Sequence, residues 1–363
     1  MAGGPESPAS VRSAASFAER LEARMGRIWF GPRRLPETFA GALLAPLGAL
    51  VAAVAAGRRR RIARDKAAPR APAGRPPVVV VGNLVVGGAG KTPLVIALAD
   101  ALAARGWRPG LLARGYRGRT EHGPARRLRR GDDAAEVGDE AFLVAGRTGR
   151  PLAIGRERGA ALAALLEPGD CDVVLSDDGL QHVGLPRDVE LAVFDARGAG
   201  NGRCLPAGPL REPLRGALLL DALVLNGSAA EPPIVHSRVF RFEVVPTLFV
   251  TLDGARAWSP QDFARDMRGR SLDALAGIGA PRRFFDTLAA LGIDVRAHPL
   301  SDHAPIDPDW LRALPGDWLI MTEKDAVKCT AFDAALLARC VALRIEAVPE
   351  PGLVDWLEDR LRG

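Results

Sequence analysis

Four cysteines in 363 residues, Cys171, Cys204, Cys329 and Cys340, lie far apart, and no two form a C-x-x-C pair. That spacing excludes a disulfide framework and a cysteine zinc site, and it suits a reducing cytosol. The chain does not repeat itself at any fixed period. A cleaved signal peptide is not expected either, because the first apolar stretch begins late and ends in arginines instead of a small-residue cleavage site. Disorder is not the expectation: 48% of residues are hydrophobic and 25% charged, a globular balance that can bury sizeable cores. The length allows two or three domains.

What is present begins with charge. The net charge is +6, and the basic excess clusters in "RRRRIAR" (Arg58 to Arg64) and "RRLRR" (Arg126 to Arg130). Phosphates or anionic lipid are the partners such runs favour; solvated loops are the alternative for the second run. From Phe39 to Gly57 the sequence "FAGALLAPLGALVAAVAAG" carries no charge, and its length approaches the roughly 20 residues that span a bilayer. Ala, Gly and Pro46 hold its hydrophobicity down, so it can lie on the membrane or cross it. Phe17, Leu21, Met25 and Ile28 fall at helical spacing with Arg20, Arg24 and Arg27 between them, the pattern of an interfacial helix. Trp29 and Phe30 are expected at headgroup depth, and the following arginines on the cytoplasmic side. A hairpin buried on the rest of the protein is the alternative.

A Pro-rich linker, "APRAPAGRPP" (Ala68 to Pro77), leads into alternating strand and helix patterns. Val78 to Val81 reads as a strand buried on both faces and Pro93 to Arg105 as a helix; "GLLARGY", "PLAIG", "CDVVLSDDG" and "VELAVFDA" supply further strands. This is α/β alternation, a parallel sheet with helices on both faces. From Val235 to Leu252 the texture turns β-rich, as in a ribbon between lobes. "SLDALAGIG", "PRRFFDTLAALG", "IDVRAHPL", "DWLIMT" and "CVALRIEAV" then suggest a second, smaller α/β lobe. The expected division is therefore an N-terminal membrane-associated helical segment (1–67), a core (68–234), a β-ribbon (235–255) and the second lobe (256–363).

Within the core, "VVVVGNLVVGGAGKTPL" places Gly90, Lys91 and Thr92 as in the pattern G-x-x-x-x-G-K-[ST], with Val85 where the first glycine should be. The order of strand, glycine loop, GKT and helix is that of a P-loop NTPase. Val85, Val86, Gly87, Gly88, Ala89 and Gly90 would then wrap a nucleotide's phosphates with backbone amides. Lys91 would reach the β- and γ-phosphates and Thr92 would ligate Mg²⁺. The strand of "VVLSDDGLQH" ends in Asp177 and Asp178, one of which should be the acidic metal ligand that P-loop proteins carry there. Arg114 follows a strand at the rim where open α/β sheets bind ligands, and its guanidinium suits a phosphate.

In order, "GNLVVGGAGKTP", "ARGY", "VGDEA", "SDDGLQH", "LPAGPLREP", "GIGAPRRFF", "SDH" and "TEKDAVK" resemble the tetraacyldisaccharide 4'-kinases, the lipid A 4'-kinase family, from about Leu35 to the C-terminus. That family dispenses with the first P-loop glycine. The resemblance implies ATP and Mg²⁺, a tetraacylated glucosamine disaccharide 1-phosphate as acceptor, and a place at the cytoplasmic face of the bacterial inner membrane. It implies neither a nucleic acid nor an obligate protein partner. It also implies that Gln181 sits beside the metal, that Asp139 is the base for the sugar hydroxyl, and that His303 orients it. Residues 1–30 have no firm counterpart, and Ala304 stands where a second His or an aromatic is expected. Two rival readings are a GTPase and a membrane-tethered nucleotide switch. The GTPase would want D-x-x-G and [NT]-K-x-D, whereas Ser176 heads "SDDG" and "TEKD" has its Lys one place late.

Overall fold

The computed structural model describes residues 17–31, 41–67 and 74–363, and the side chains from Arg24 onward within them. The Phe17 and Leu21 side chains of the expected interfacial stripe, Phe39 and most of the Pro-rich linker lie outside that set.

Thirteen strands form one sheet: β1 (Val78–Gly82), β2 (Pro109–Ala113), β3 (Arg126–Arg127), β4 (Leu152–Ile154), β5 (Val173–Asp177), β6 (Val189–Asp195), β7 (Ala222–Asn226), β8 (Val239–Thr251), β9 (Ala257–Trp258), β10 (Leu272–Ala276), β11 (Arg296–Pro299), β12 (Trp318–Thr322) and β13 (Cys340–Pro349). The order is β11-β10-β12-β13-β8-β7-β6-β1-β5-β2-β4-β3, with β9 on β8. β1 runs parallel between β5 and β6, with Val81 opposite Asp177. The ends of the first and fifth strands therefore meet, and the loops leaving them face each other. Alternate β1 residues serve opposite cores. Val79 and Val81 pack with Leu94, Leu98 and Leu102 of helix Lys91–Ala104, and Val78 and Val80 with Leu162 and Leu165 of helix Arg158–Leu166. Each such leucine, fully buried, contributes about 1.5–3 kcal/mol. The first helix carries Pro93 in its opening turn, where no amide is missed, and ends before Gly106, whose φ is 91°.

The expected ribbon is the antiparallel pair of β8 with β13, whose outer ends merge into the two half-sheets. β8 pairs parallel to β7 through Val239–Phe242 and antiparallel to β13 through Phe242–Thr251, so one long strand joins both halves into a continuous sheet. The last helix, Pro351–Arg362, returns to the first half. Its apolar face, Leu353, Val354, Leu357 and Leu361, is covered by the Lys91–Ala104 helix core, and Arg105 pairs with Glu358 at 2.8 Å. The second half keeps a core of its own, in which Phe249 and Phe263 stack at 4.0 Å.

At the N-terminus, helices Phe17–Phe30 and Ala45–Ala67 form. Among the described residues no helix is long and apolar enough to cross a membrane. The second helix does not stop at Gly57 but continues through the arginine run, because Arg59 and Ile62 turn inward and dock. Trp29 and Phe30, expected at headgroup depth, are used on the protein itself: Trp29 Nε1 donates to Pro206 O at 3.0 Å, and Phe30 packs on the core beneath Arg197.

Candidate active site

The glycine loop leaves β1 and enters helix Lys91–Ala104 with Gly87 and Gly90 at φ 93° and 88°, values that L side chains rarely adopt. A Cβ at Gly90 would lie 2.5 Å from Asn226 Nδ2. Val85 is not strained. Its side chain is buried in the core and its backbone bridges to Leu210, while Val86 N donates to Pro209 O at 2.9 Å and Arg211 N to Leu84 O at 2.7 Å. The "LPAGPLREP" loop thus supports the entrance to the P-loop from behind. Asn83 Nδ2 donates to Gly87 O at 3.2 Å, Asn226 Nδ2 to Ala89 O at 3.0 Å and Arg197 Nη2 to Gly88 O at 2.9 Å. With three carbonyls engaged from outside, the loop is held before any ligand arrives.

Thr92 Oγ1 donates to Asp177 Oδ2 at 2.7 Å. Asp177 Oδ1 is buried and has no hydrogen-bond partner among the described residues. Burial raises the Asp177 carboxyl to about 6, with Glu140 and Asp178 adding to the shift and Lys91 and Thr92 opposing it. Its neighbour behaves oppositely. Burial also works against charge on Asp178, but Lys91 and Arg211 outweigh it and hold that carboxyl at about 2. Arg211 Nη1 donates to both Asp178 oxygens, at 2.9 and 2.8 Å, and Lys91 Nζ lies 3.7 Å from Oδ1 and 3.3 Å from Asn83 Oδ1. Asp178 also has a positive φ of 52°, a strained position of the kind found where surrounding structure overrides local preference. Gln181 donates to Asn83 O and Glu212 Oε1, and its own carbonyl lies 3.5 Å from Arg211 Nη1.

Asp139 opens helix Asp139–Thr148. Its Oδ2 lies 3.1 Å from His303 Nδ1, a contact that spans 164 positions and joins the two halves of the sheet. Arg114 leaves the end of β2, pairs with Glu121 at 3.0 Å and stacks over Tyr116. The structure therefore gathers Lys91, Thr92, Asp177, Asp178 and Gln181 tightly, with Asp139 and His303 as a second cluster whose neighbour Glu140 is felt at Asp177. A family model for tetraacyldisaccharide-1-P 4'-kinase matches residues 40–362. The tetraacyldisaccharide 4'-kinase of Azotobacter vinelandii is 46% identical over 88% of this chain and 92% of its own. That of Pseudomonas aeruginosa LESB58 is 44% identical over 95% and 98%. The crystal structure of "apo" form LpxK from Aquifex aeolicus in complex with ATP superposes with a TM-score of 0.72 at 26% identity, over 89% of this chain and 99% of that one.

The chain belongs to the tetraacyldisaccharide 4'-kinase family. It is a kinase of lipid A biosynthesis, and its family works with ATP and Mg²⁺.

Several residues of the kinase around these clusters escape motif reading. Arg158 is buried, donates to Gly155 O and Asp177 O, and among the described residues leaves Nε unpaired. Burial lowers it to about 10, the charges of Asp177 and Asp178 resist, and Arg114 adds to the fall. His182, of "LQH", is pushed down to about 4 by burial and by Arg158 and Arg114, so it is neutral at physiological pH. Arg211 and Glu212 were visible only as part of a proline-bounded loop. Asn226 ends β7, a strand not singled out in advance. "TEKD" is no base-reading signature: Asp325 is fully buried, receiving Thr322 Oγ1, Gly277 N and Lys328 Nζ at 2.7, 2.9 and 2.8 Å, and cannot meet a guanine.

Proposed function

We propose that the kinase transfers the γ-phosphoryl group of ATP to the 4'-hydroxyl of a tetraacylated glucosamine disaccharide 1-phosphate, with the P-loop and the two aspartates on the nucleotide side and Asp139 with His303 on the acceptor side. The observation that carries this reading is the Asp139–His303 contact at 3.1 Å, which joins the two halves of the sheet. A carboxylate paired with a histidine from the other half suits a proton acceptor for a second substrate, which a nucleotide switch would not need.

The donor set fits Mg²⁺: a buried carboxylate oxygen without a partner, Asp177 Oδ1, next to the Thr92 hydroxyl, in a site that needs substrate phosphates to complete a hard-oxygen shell. Thr92 and Asp177 would hold the ion, with Asp178 and Gln181 beside it, and it would neutralise charge on the β- and γ-phosphates. The backbone from Val85 to Gly90 cradles the phosphates and Lys91 binds the β- and γ-oxygens, exchanging its contacts with Asn83 and Asp178 for them. Arg114 steadies a phosphate at the rim. His303 holds Asp139 through Oδ2, leaving Oδ1 for the acceptor hydroxyl. As the 4'-oxygen bonds to the γ-phosphorus and the bond to the ADP oxygen breaks, Asp139 takes the hydroxyl proton. The products are the 4'-phosphate and ADP, and the proton leaves to solvent.

We place the enzyme at the cytoplasmic face of the inner membrane. Supporting this, Leu47, Leu50 and Val54 are exposed on one face of helix Ala45–Ala67, with Leu43 before them, and Arg58 and Arg61 continue the same face at helical spacing. Apolar residues followed by exposed arginines suit acyl chains below and anionic headgroups above. The test is incubation with γ-labelled ATP, Mg²⁺ and the disaccharide 1-phosphate in detergent. Label must appear in the glycolipid at the 4'-position; label released only as inorganic phosphate would support the switch instead.

A further inference from the structure

The segment "TEKDAVK", Thr322 to Lys328, is built against the acceptor-side pair. Thr322 Oγ1 caps helix Glu323–Ala326 by accepting from Asp325 N. Glu323 takes Arg147 Nη1 at 2.8 Å, fixing the segment to the helix that begins at Asp139. Lys324 Nζ then meets three groups: Glu140 Oε1 at 3.1 Å, Asp302 Oδ1 at 3.1 Å and His303 Nε2 at 3.0 Å. Burial works against its charge, but Glu140 and Asp302 outweigh burial and raise it above the ordinary lysine range. It is an ammonium with donors only.

An ammonium can approach Nε2 that closely only if Nε2 offers a lone pair. The imidazole proton must then be on Nδ1, where Asp139 Oδ2 accepts it. The ring has no freedom to escape this arrangement: His303 sits at φ 61°, Tyr116 packs on it edge-on at 5.4 Å, and the side chain is almost buried. We infer that Lys324 is a positioning residue for the transfer: it fixes His303 as the neutral Nδ1–H tautomer, so that the imidazole donates to Asp139 and keeps that carboxylate's other oxygen aimed at the acceptor. The logic is that of the third group behind a catalytic histidine, with the polarity reversed: a cation behind the ring and the working carboxylate in front. The inference rests on Asp139 and His303 being the proton-handling pair.

The test is spectroscopic first. The chain has five histidines, so full-length enzyme labelled with ¹⁵N-histidine, in detergent at pH 7.5, permits assignment of His303 by its loss in His303→Gln. The wild-type long-range proton–nitrogen pattern must show Nδ1 protonated and Nε2 bare; the opposite tautomer overturns the proposal without any variant. Lys324→Met removes the donor, and Nε2 gains a proton it can give to Asp302, 3.6 Å away; Lys324→Arg keeps the wild-type pattern. An unchanged pattern in Lys324→Met overturns the assignment. Turnover of Lys324→Met should fall about 10- to 100-fold, as when an orienting partner behind a functional group is lost, with the Michaelis constant for ATP unchanged and most of the loss restored by Lys324→Arg. In a His303→Ala background the same change should cost nothing further; an equal loss there means Lys324 acts elsewhere. Wild-type turnover in His303→Ala together with the expected tautomer would instead remove the dyad reading and leave the tautomer assignment standing.

Discussion

Replacing Asp177 by Asn should make the nucleotide-free enzyme more stable while destroying its activity. The carboxyl is buried beside Thr92 with one oxygen unpaired, and burial raises it from 3.8 to about 6. The folded protein therefore holds this proton up to about pH 6, whereas the unfolded chain releases it near 3.8. Between those values the native state binds more protons, so stability falls as pH rises through the window from about 4 to 6. At about 1.4 kcal/mol per unit, the ionised carboxylate costs the apo fold up to about 3 kcal/mol at pH 7.5 and roughly half as much at pH 5. Asparagine still accepts from Thr92 but carries no charge, so it avoids this cost. Thermal melts of wild type and Asp177→Asn at pH 7.5 and pH 5, without nucleotide or metal, should show a gain of several degrees at the higher pH that shrinks at the lower. With Mg²⁺-ATP the order should reverse, because the ligand stabilises only the protein that binds it. A variant no more stable than wild type at pH 7.5, or a gain independent of pH, would refute the reasoning.

Lys91→Ala should lower turnover by several orders of magnitude, because positioning of phosphate is the main catalytic term, and should lower the nucleotide-free melting temperature only modestly, since Arg211 still pairs with Asp178. Near-normal turnover would remove the P-loop assignment. Arg59→Met leaves Glu212, bonded to Arg59 at 2.8 Å, buried without its cation, while Glu190 keeps Arg187 at 3.0 Å. A loss of about 3–5 kcal/mol is expected, read by denaturant unfolding, together with reduced turnover because Glu212 also holds Gln181. Leu47→Glu with Leu50→Glu should reduce sedimentation with anionic vesicles and slow turnover on vesicle-borne acceptor, leaving turnover on detergent-dispersed acceptor unchanged; undiminished sedimentation would place the membrane contact elsewhere.

The parallel strands were legible where apolar runs are buried on both faces, as Val78–Val81 and Val189–Asp195 are, since such runs have few other uses. Phosphate-loop chemistry was legible for a similar reason: glycines, Lys and Thr between a strand and a helix have a narrow purpose. Val85 broke the strict pattern because its support comes from Leu210 and Pro209, more than a hundred positions away, and local spacing is silent on that. The arginine run concealed Arg59 equally well. Composition pointed the whole run toward lipid, but helix phase turns one guanidinium inward, where Glu190 and Glu212 from distant elements receive it. Trp29 gives no sign in the sequence that the carbonyl of Pro206, 177 positions away, accepts its ring N–H. Asp139 and His303 carry no mutual signal in the sequence; only the family resemblance paired them, and only the fold of two half-sheets through β8 gives them a way to meet.

The most direct test of the account is the double-mutant cycle of Asp139 and His303, read as turnover on the glycolipid at saturating ATP, with ATP affinity measured separately. Asp139→Ala should reduce turnover about 10²- to 10⁴-fold, the range for loss of a general base. His303→Ala should cost less, and the double variant little more than Asp139→Ala alone, because the imidazole acts through the carboxylate. ATP affinity should remain near wild type throughout. Fully additive losses, or an ATP-binding defect as large as the turnover defect, would contradict the claim that these two residues form one acceptor-side unit.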